Sequence, residues 1–338
     1  MMLNTTATQN ASAAYELKLA WRDLLADHPH LRPRDAASSL GVSEAELVAT
    51  GCGDNAIRLR PDWPALIDAV GGLGPVMALT RNDVVVHEKT GLYERLRLCG
   101  DLLLVSGHNI ELCLLTGRWH SGYAVTEPSR IGPRQSLQFF DAEGEAVHKI
   151  YLTEHSDAAR YRRLVATFAA ADQAPTVEPA TITRPADIDW AATDRLPELW
   201  HRLSRPLAGR LQTVGFISGQ QFRELMQQLA RLAMPQQILV PSPGALQLHT
   251  GPVQNLRITD PWFNVLDQGF NLHLNEKGVA ETAIVHLGHG RHTLRGLQLR
   301  DRLGYTAATV FGAYDPVDGE SLLWREFIDA LPGNRIFN

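Results

Sequence analysis

The 338-residue sequence has few cysteines and no long hydrophobic run. Its three cysteines are an odd number and none is spaced as CxxC, which excludes a disulfide framework and a zinc ribbon. No apolar stretch approaches the roughly 20 residues that span a bilayer. The first residues also lack a charged segment followed by an apolar core. We therefore expect a protein of the reducing cytoplasm without membrane insertion.

An excess of basic residues is also missing. The chain has 32 Lys and Arg against 37 Asp and Glu, which gives a net charge of −5 at pH 7. This balance argues against a protein whose main task is to neutralise phosphates, so we expect no nucleic-acid partner. One segment, 32–51, is spaced like a helix–turn–helix motif with Gly41 in the turn. Its second helix carries Glu44 and Glu46 but no arginine, so a plain helical hairpin is preferred over DNA binding.

A repeat is the strongest internal pattern. Shifting the sequence by 160 residues without a gap superposes twelve identical residues over 55 positions. The matching residues are Thr90, Gly91, Leu96, Arg97, Val105, Leu112, Leu114, Val125, Leu137, Gln138, Asp141 and Gly144 with Thr250, Gly251, Leu256, Arg257, Val265, Leu272, Leu274, Val285, Leu297, Gln298, Asp301 and Gly304. So many identities at one offset are typical of two copies of one unit. We predict copies at 13–170 and 190–338, joined by a proline-bearing linker at 171–189.

Both predicted copies have helices first, then a meander of strands, then a closing helix. Helical spacing before Gly51 includes a capping box of Ser43 and Glu46. Eight alternating segments between Val76 and Thr153 predict the strands of one antiparallel sheet. The remaining predictions are a frayed end at 1–12, helices at 62–70, 157–170, 194–203, 218–232 and 319–331, and a second sheet at 237–311. The fold class is therefore α+β, a tandem repeat in which each half is an antiparallel sheet with flanking helices.

Several phrases along these elements are similar to one known family. They are RDAASSLGVSEAELVA (34–49), TRNDVVVHEKTGLYE (80–94), SLQFFDAEGEAVHKIYL (136–152), GALQLHTG (244–251), WFNVLDQGFNLHL (262–274) and WREFIDAL (324–331). Together they resemble the bacterial haemin-degrading and haem-trafficking proteins of the HemS/ChuS type over nearly the whole chain. The resemblance implies a cytoplasmic protein of haem uptake that takes haem as its ligand. It leaves open whether the protein carries haem to a separate oxygenase or cleaves haem itself with electrons from a reductase.

The residues that the family uses to hold haem are replaced in this sequence. The family's axial histidine falls in the segment resembling WAATDRLPELWHRLSR (190–205), where Leu196 or Pro197 occupies its position. An arginine in the strand resembling NIELCLL (109–115) is replaced by Cys113. The family's basic turn becomes His286-Leu287-Gly288, and its terminal Tyr-Gly-x-Arg phrase becomes Phe311-Gly312-Ala313-Tyr314. The resemblance therefore predicts the scaffold more firmly than the haem ligands.

Two histidines are candidate iron ligands, because haem iron takes an imidazole, a thiolate or a phenolate. If the one-residue length difference from the family falls before Pro197, His201 lies about one helical turn beyond the position of the family's ligand, roughly 6 Å further along the same face. The alternative is a half-exposed histidine beside Trp200. His87 lies at a strand end that some relatives are thought to use for a second haem. Its alternative is a structural histidine in the turn before Gly91.

Other candidates have weaker support. Cys113 is a candidate thiolate ligand, although a lone strand cysteine is more often a small buried hydrophobic residue. The two propionate groups of haem are usually bound by basic or phenolic side chains. The candidates by location are Arg205, Arg210, Arg291, Arg295 and Tyr314. His286, His289 and His292 in the run HLGHGRH are candidate ligands of Zn²⁺ or Cu²⁺, with a solvated hairpin as the alternative.

Three functions remain open from the sequence. The first is a haem carrier, and the second is a haem-degrading enzyme, which the replaced ligands make the weaker of the two. The third is a divergent paralogue that keeps the fold and binds another planar or apolar ligand or a protein partner. Conventional hydrolase or kinase chemistry is not indicated, because the chain has no nucleophile elbow, phosphate-cradling glycine loop or HExxH motif.

Overall fold

A computed structural model describes residues 3–99, 102–129, 132–179, 211–289, 292–315 and 319–333. Contacts between Cα atoms divide the chain into two compact units. The first unit comprises residues 1–78 and 115–183, and the second comprises 79–114 and 184–338. These units differ from the two linear halves that the repeat predicts, because residues 79–114 of the first copy belong to the second unit.

The described residues form helices and strands in the following order along the chain. The helices are α1 (Leu3–Asp27), α2 (Pro33–Leu40), α3 (Glu44–Ala49), α4 (Trp63–Val70), α5 (Ala158–Phe168), α6 (Gly219–Arg231) and α7 (Leu322–Asp329). The strands are β1 (Ala56–Arg58), β2 (Val76–Arg81), β3 (Val85–Gly91), β4 (Arg95–Cys99), β5 (Leu102–Gly107), β6 (Ile110–Leu114), β7 (Ser121–Glu127), β8 (Arg134–Phe140), β9 (Ala146–Leu152), β10 (Leu211–Ile217), β11 (Gln236–Ser242), β12 (Ala245–Gly251), β13 (Leu256–Thr259), β14 (Trp262–Asp267), β15 (Phe270–Asn275), β16 (Glu281–His289), β17 (His292–Arg300), β18 (Thr306–Gly312), β19 (Tyr314–Asp315) and β20 (Gly319–Glu320).

The first unit is one antiparallel layer with helices on both faces. Its strands follow the order β1-β7-β8-β9-β2, and the last three residues of β2 already belong to the second unit. On one face, α3 packs its alanines and Val48 against Tyr123 and Val125. On the other face, Trp63 of α4 makes an edge contact with Phe139 at 5.6 Å between ring centroids. The layer is thus covered on both sides within the unit.

The second unit is a sandwich of two antiparallel layers. One layer has nine strands in the order β10-β16-β17-β18-β11-β12-β6-β5-β4, and the other contains β3-β15-β14-β13. The apolar core between them includes Val85, Phe263, Leu272, Ile238 and Leu297, and α6 and α7 contribute to it. Strands from both sequence copies therefore share one core.

The strand pairing shows the repeat directly. The same pairs recur 160 residues further along, and the register shift in each copy falls at the same place. The equivalent pairs are Tyr123–Gln138 with Ala283–Gln298 and Gln138–Lys149 with Gln298–Thr309, and the shifts follow Phe139 and Leu299. The predicted α+β class and tandem repeat are confirmed.

One expectation about the sheets is wrong. The eight strands between Val76 and Thr153 do not form a single sheet, because β4, β5 and β6 leave the first copy and β6 pairs with β12 of the second. The second copy does the same in return, as β15 pairs with β3. Alternation of apolar residues specifies the buried face of a strand but not its partner, so the exchange has no signature in the sequence.

Local predictions at the chain ends also need correction. Of the segment 1–12 predicted as a frayed end, residues 3–12 are helical, since α1 begins at Leu3. Its segment contains no glycine or proline, and Leu17 and Trp21 anchor it against the Ala36–Ala37 cluster. The closing helix begins at Leu322 rather than at residue 319, because residues 319–320 pair with β19 as a short strand.

Other local predictions are met. The capping box is present, as the Ser43 backbone N–H donates to Glu46 at 2.7 Å and the Glu46 N–H donates to the Ser43 hydroxyl. The turn before it uses Gly41 in the left-handed region at φ 69°. Residues 171–179 of the linker contain no helix or strand, whereas its remainder and the predicted helix at 194–203 lie outside the described residues. In the described part of the chain, no helix is long and apolar enough to cross a membrane.

Candidate functional site

The nine-stranded sheet of the second unit has one face toward the sandwich core and a second face that we name the Cys113 face. Residues directly opposite each other in an antiparallel pair project to the same side. The register therefore places two rows of residues on this face. The first row is Leu104, Cys113, Leu246 and Pro241, and the second is Leu248, Leu239, Thr309, Gln298 and Ala283.

The middle of the Cys113 face is apolar and buried, with Leu104 and Leu246 both 3% exposed. Cys113 itself is 1% exposed and lies between Leu104 and Leu246 in the first row. It is a free thiol. Because its neighbours across the strands are leucines, the position that carries an arginine in the resembling family is here part of an apolar surface.

Phe311 lies flat on this face because its neighbour is a glycine. Gly296 is opposite Phe311 in the register, and a Cβ atom built on Gly296 would lie 2.5 Å from the Phe311 ring. Any larger residue at 296 would push the ring away from the sheet. We name the Phe311 ring and Gly296 together the platform, and it lies beside the polar residues of the second row.

Polar groups lie toward two edges of the Cys113 face. At one edge, the Arg300 guanidinium donates to Gln298 Oε1 and to Glu281, both at 2.8 Å. At another, Thr250 donates its hydroxyl to Glu111 at 3.0 Å. An apolar centre with polar edges suits a flat, largely apolar ligand with a few polar groups.

The structure places His87 away from this face. Its side chain is 0% exposed in the sandwich core, where its ring centroid lies 5.0 Å from that of Phe270. Burial lowers the pKa of His87 well below its usual range, and the positive charge of Lys89 acts in the same direction. The imidazole is therefore neutral at pH 7. Haem ligation by His87 stays a prediction, and at this burial it would require the sandwich to open.

Only one of the three histidines of the predicted metal site, His286, has a described side chain. His286 of β16 lies opposite Arg295, and burial lowers its pKa, with Arg295 as the second cause. His289 and His292 are opposite each other at the end of the hairpin, and their side chains lie outside the described part. No group of three or more metal-binding side chains occurs among the described residues. The metal site remains a prediction.

The other predicted haem contacts divide into two sets. Four candidates, His201, Arg205, Arg210 and Arg291, lie outside the described residues, as does the side chain of Tyr314, whose backbone forms β19. Arg295 is described, and its guanidinium donates to Asp329 at 2.9 Å and to Glu320 at 3.0 Å. It also shares a strand face with Leu297, on the core side, so Arg295 is engaged away from the Cys113 face.

Two features of the second unit were missed by sequence reasoning. Gln298 and Phe311 occupy the Cys113 face, and the only available signal was the identity of Gln298 with Gln138 in the repeat. A separate cavity of about 330 Å³ lies at the start of α6, lined by apolar residues such as Phe216, Phe222 and Leu299. The cavity is formed by segments that are far apart in the sequence, so no local sequence pattern predicts it.

The fold and the Cys113 face define a class of protein: a duplicated α+β scaffold with a buried apolar sheet face in its second unit. A family model described as the haemin-degrading HemS.ChuX domain matches this chain twice, at residues 41–168 and 207–331. The chain is 32% identical over 325 residues to the hemin transport protein HemS of Yersinia enterocolitica, covering 90% of this chain and 94% of that one. The protein therefore belongs to the haemin-degrading HemS/ChuX family, as the sequence predicted.

Solved structures agree with this assignment. Holo-PhuS, a heme-binding protein from Pseudomonas aeruginosa, has a TM-score of 0.84 and 36% identity, covering 95% of this chain and 99% of that one. ChuS, described as an E. coli heme oxygenase, has a TM-score of 0.79 and 25% identity, covering 94% and 99%. Both matches extend over both copies of the repeat.

Proposed function

We propose that this protein binds haem in the cytoplasm and serves haem utilisation as a carrier. Family membership over nearly the whole chain supports this, as do the names of its relatives, a hemin transport protein and a heme-binding protein. The observation that carries the proposal is the Cys113 face, whose leucines and flat Phe311 fit an apolar macrocycle. Its edges hold polar groups of the kind that meet propionates.

The residues fit haem as a ligand, with its iron ligand supplied from beyond the face. Within the described second unit, the apolar centre offers one thiol, Cys113, and no imidazole. We propose His201 as the axial ligand and Arg205, Arg210 and Tyr314 as propionate partners, with His87 and Cys113 as the alternatives at the iron. This assignment rests on the resemblance of residues 190–205 to the family.

A haemin titration tests the function. We expect a shifted Soret band that saturates at a fixed ratio of haemin to protein. His201→Ala is expected to change that spectrum, whereas His87→Ala should leave it intact and lower stability instead. His155→Ala is the matched control, because His155 is an exposed histidine with 73% of its side chain accessible. A spectrum identical to that of free haemin at stoichiometric protein would reject haem binding altogether.

Haem cleavage is a second candidate, favoured by the relative described as a heme oxygenase. It needs an open iron face for O₂ and a reductant, which a reductase partner would supply. We rank it below carriage because Cys113 replaces the family's arginine. Incubating the haem complex with ascorbate and analysing the pigment decides between them. A biliverdin-like product supports cleavage, and unchanged haem supports carriage with transfer to a separate oxygenase.

Replacement of the ligand positions favours a third candidate, a divergent paralogue that binds another planar or apolar ligand or a protein partner. Iron-free protoporphyrin distinguishes this case. Binding of protoporphyrin with an affinity equal to that of haemin would show that the face selects the flat ring and not the metal. The predicted metal site at His286, His289 and His292 is tested separately, by titration with Zn²⁺ alone.

A further inference from the structure

The interior of the second unit contains three polar side chains whose hydrogen-bonding atoms are all orphaned. They are His87 of β3, His249 of β12 and Gln236 of β11, which are 0%, 7% and 0% exposed. All six of their side-chain nitrogen and oxygen atoms are buried and make no hydrogen bond of normal geometry in the part of the chain that the structure describes. The nearest backbone acceptors, at Gly251 and Pro252, act on the His249 imidazole only as minor influences on its pKa. Native proteins rarely leave buried polar groups unpaired, so such a concentration calls for a bound species.

The two histidines meet at one aromatic ring. His249 stacks on Phe270 with ring centroids 3.8 Å apart and planes at 8°, and His87 contacts the same ring at 5.0 Å. Lys89 lies directly opposite Phe270 in the β3–β15 register and two residues from His87 on the same face of β3. The ammonium of Lys89, on a side chain that is 5% exposed, therefore belongs to the same cluster.

A glycine, Gly251, lies next to both Gln236 and His249 on the core side of the sheet. Gln236 is opposite Gly251 in the β11–β12 register. A Cβ built on Gly251 would find only the Cε1 and Nε2 atoms of His249 within 4 Å, both at 3.6 Å, apart from its chain neighbours. Because residue 251 is a glycine, no side chain begins at this position. We name the space over Gly251 the gap between Gln236 and His249.

The chemistry of these groups favours a negative ligand. At neutral pH each buried imidazole offers one N–H, the Gln236 amide offers two, and Lys89 offers a full positive charge. The carboxylate that acts on Lys89 is Glu111, which also accepts the Thr250 hydroxyl. A buried ammonium is costly unless an opposite charge and hydrogen bonds compensate it. Glu111 supplies one opposite charge, but it projects from the Cys113 face, since it lies two residues before Cys113 on β6. Water can bridge the neutral groups of the cluster but adds no negative charge to it.

We propose that the gap between Gln236 and His249 is a binding site for a small anion, of the size of chloride or formate, held by Lys89 and the N–H groups of His87, His249 and Gln236. The anion stabilises the sandwich of the second unit. The site lies on the core side of the nine-stranded sheet, opposite to the Cys113 face, so it does not depend on haem binding at that face.

Thermal unfolding at constant ionic strength tests the proposal. Sodium chloride or sodium formate replaces sodium gluconate, whose anion is too bulky for the gap. We expect the Tm of the full chain to rise with the concentration of the small anion, as for any ligand that binds only the folded state. The chloride and formate arms distinguish a halide site from a carboxylate site. An equal Tm in all three salts would overturn the proposal.

Variants locate the effect. Lys89→Met keeps the apolar stem and removes the charge, so the anion dependence of Tm should disappear. Lys277→Met is the control, because Lys277 is an exposed lysine with a partner in Asp260, and it should retain the dependence. Retention by Lys89→Met would refute the site. If Lys89→Met does not fold, Gln236→Met serves in its place, with a weakened dependence expected.

A crystal soaked in bromide gives a structural answer. Anomalous scattering from bromide between Gln236 and His249 would confirm the site. Density for an internal water network only, with no anomalous signal there, would reject it. This result does not depend on the stability of any variant.

Discussion

The two copies of the repeat present the same sheet face with different contents. In the first unit, the equivalent of the Cys113 face is the Tyr123 face, formed by Tyr123, Val125, Ser136, Gln138 and Lys149. It is closed by α3, and Lys149 donates to Glu44 of that helix at 2.5 Å in a buried ion pair. The backbone pairing in the two faces is the same at the 160-residue offset.

The side chains of the Cys113 face are smaller. Tyr123, Ser136 and Lys149 of the first copy correspond to Ala283, Gly296 and Thr309 of the second. The second face therefore lacks the large and charged side chains that pack the first face against α3. The first face is filled by bulky and charged side chains packed against α3, whereas the second has smaller side chains around an apolar centre that is also buried, with Cys113 at 1% and Phe311 at 4% exposure. This difference in side-chain size is why we place the ligand on the second face.

Breaking the ion pair gives the largest expected effect. Glu44→Ala leaves the Lys149 ammonium buried without its carboxylate, which typically costs about 3–5 kcal/mol of unfolding free energy. Denaturant unfolding measures the loss. The double variant Glu44→Leu with Lys149→Met removes both charges and should recover most of it. If Glu44→Ala is as stable as the parent, the Tyr123 face is not closed by this pair.

Acid should weaken both units through buried histidines. Burial lowers the pKa of His148 in the first unit and of His249 in the second to about 3. Because the folded pKa lies below the unfolded value of about 6.5, the unfolded chain takes up protons first as the pH falls. Stability is therefore complete above about pH 6.5 and declines toward pH 3, by about 2 kcal/mol per histidine at about pH 5.

Unfolding free energies measured from pH 7 to pH 4 check this slope. In His148→Phe, the fall in unfolding free energy between pH 7 and pH 5 should be smaller by about 2 kcal/mol, the contribution of one histidine. A curve with the same slope as the parent protein would show that His148 is not the group that titrates.

A side chain added at Gly296 should disturb the Cys113 face and leave the Tyr123 face unchanged. Gly296→Ala places a Cβ against the Phe311 ring and is expected to cost about 1–3 kcal/mol of stability, as overpacking does, and to weaken haemin binding. Gly288→Ala is the control, because no atom lies within 4 Å of a Cβ at Gly288. Unaltered haemin affinity in Gly296→Ala would remove Phe311 from the proposed site.

The smallest effect compares two equivalent residues, Phe311 and Tyr151. Phe311→Leu should weaken haemin binding about three- to tenfold, the typical range for one aromatic contact. Tyr151→Leu changes the same position in the first copy and should leave the affinity unchanged. Fluorescence quenching by haemin measures both. An equal loss in the two variants would place haem on both faces or on neither.

Much of the fold was predictable because it is encoded locally. Alternating apolar residues located the strands, the Ser43–Glu46 pair located a helix start, and identities such as Gln138 with Gln298 located the repeat. The candidate site was less predictable. Resemblance pointed to Cys113, but nothing near His87 in the sequence showed that its imidazole lies in the core, because burial there depends on Phe270 and His249 from other strands.

The sequence by itself determined the elements, their duplication and the family, since periodicity and repeated identities are properties of the chain alone. Only the tertiary structure decided that β4–β6 and β13–β15 are exchanged between copies, and that Cys113 and His87 lie in different layers. The physical reason is that a strand's pattern specifies which side is buried, whereas its partner is chosen by packing between residues that are far apart in the chain.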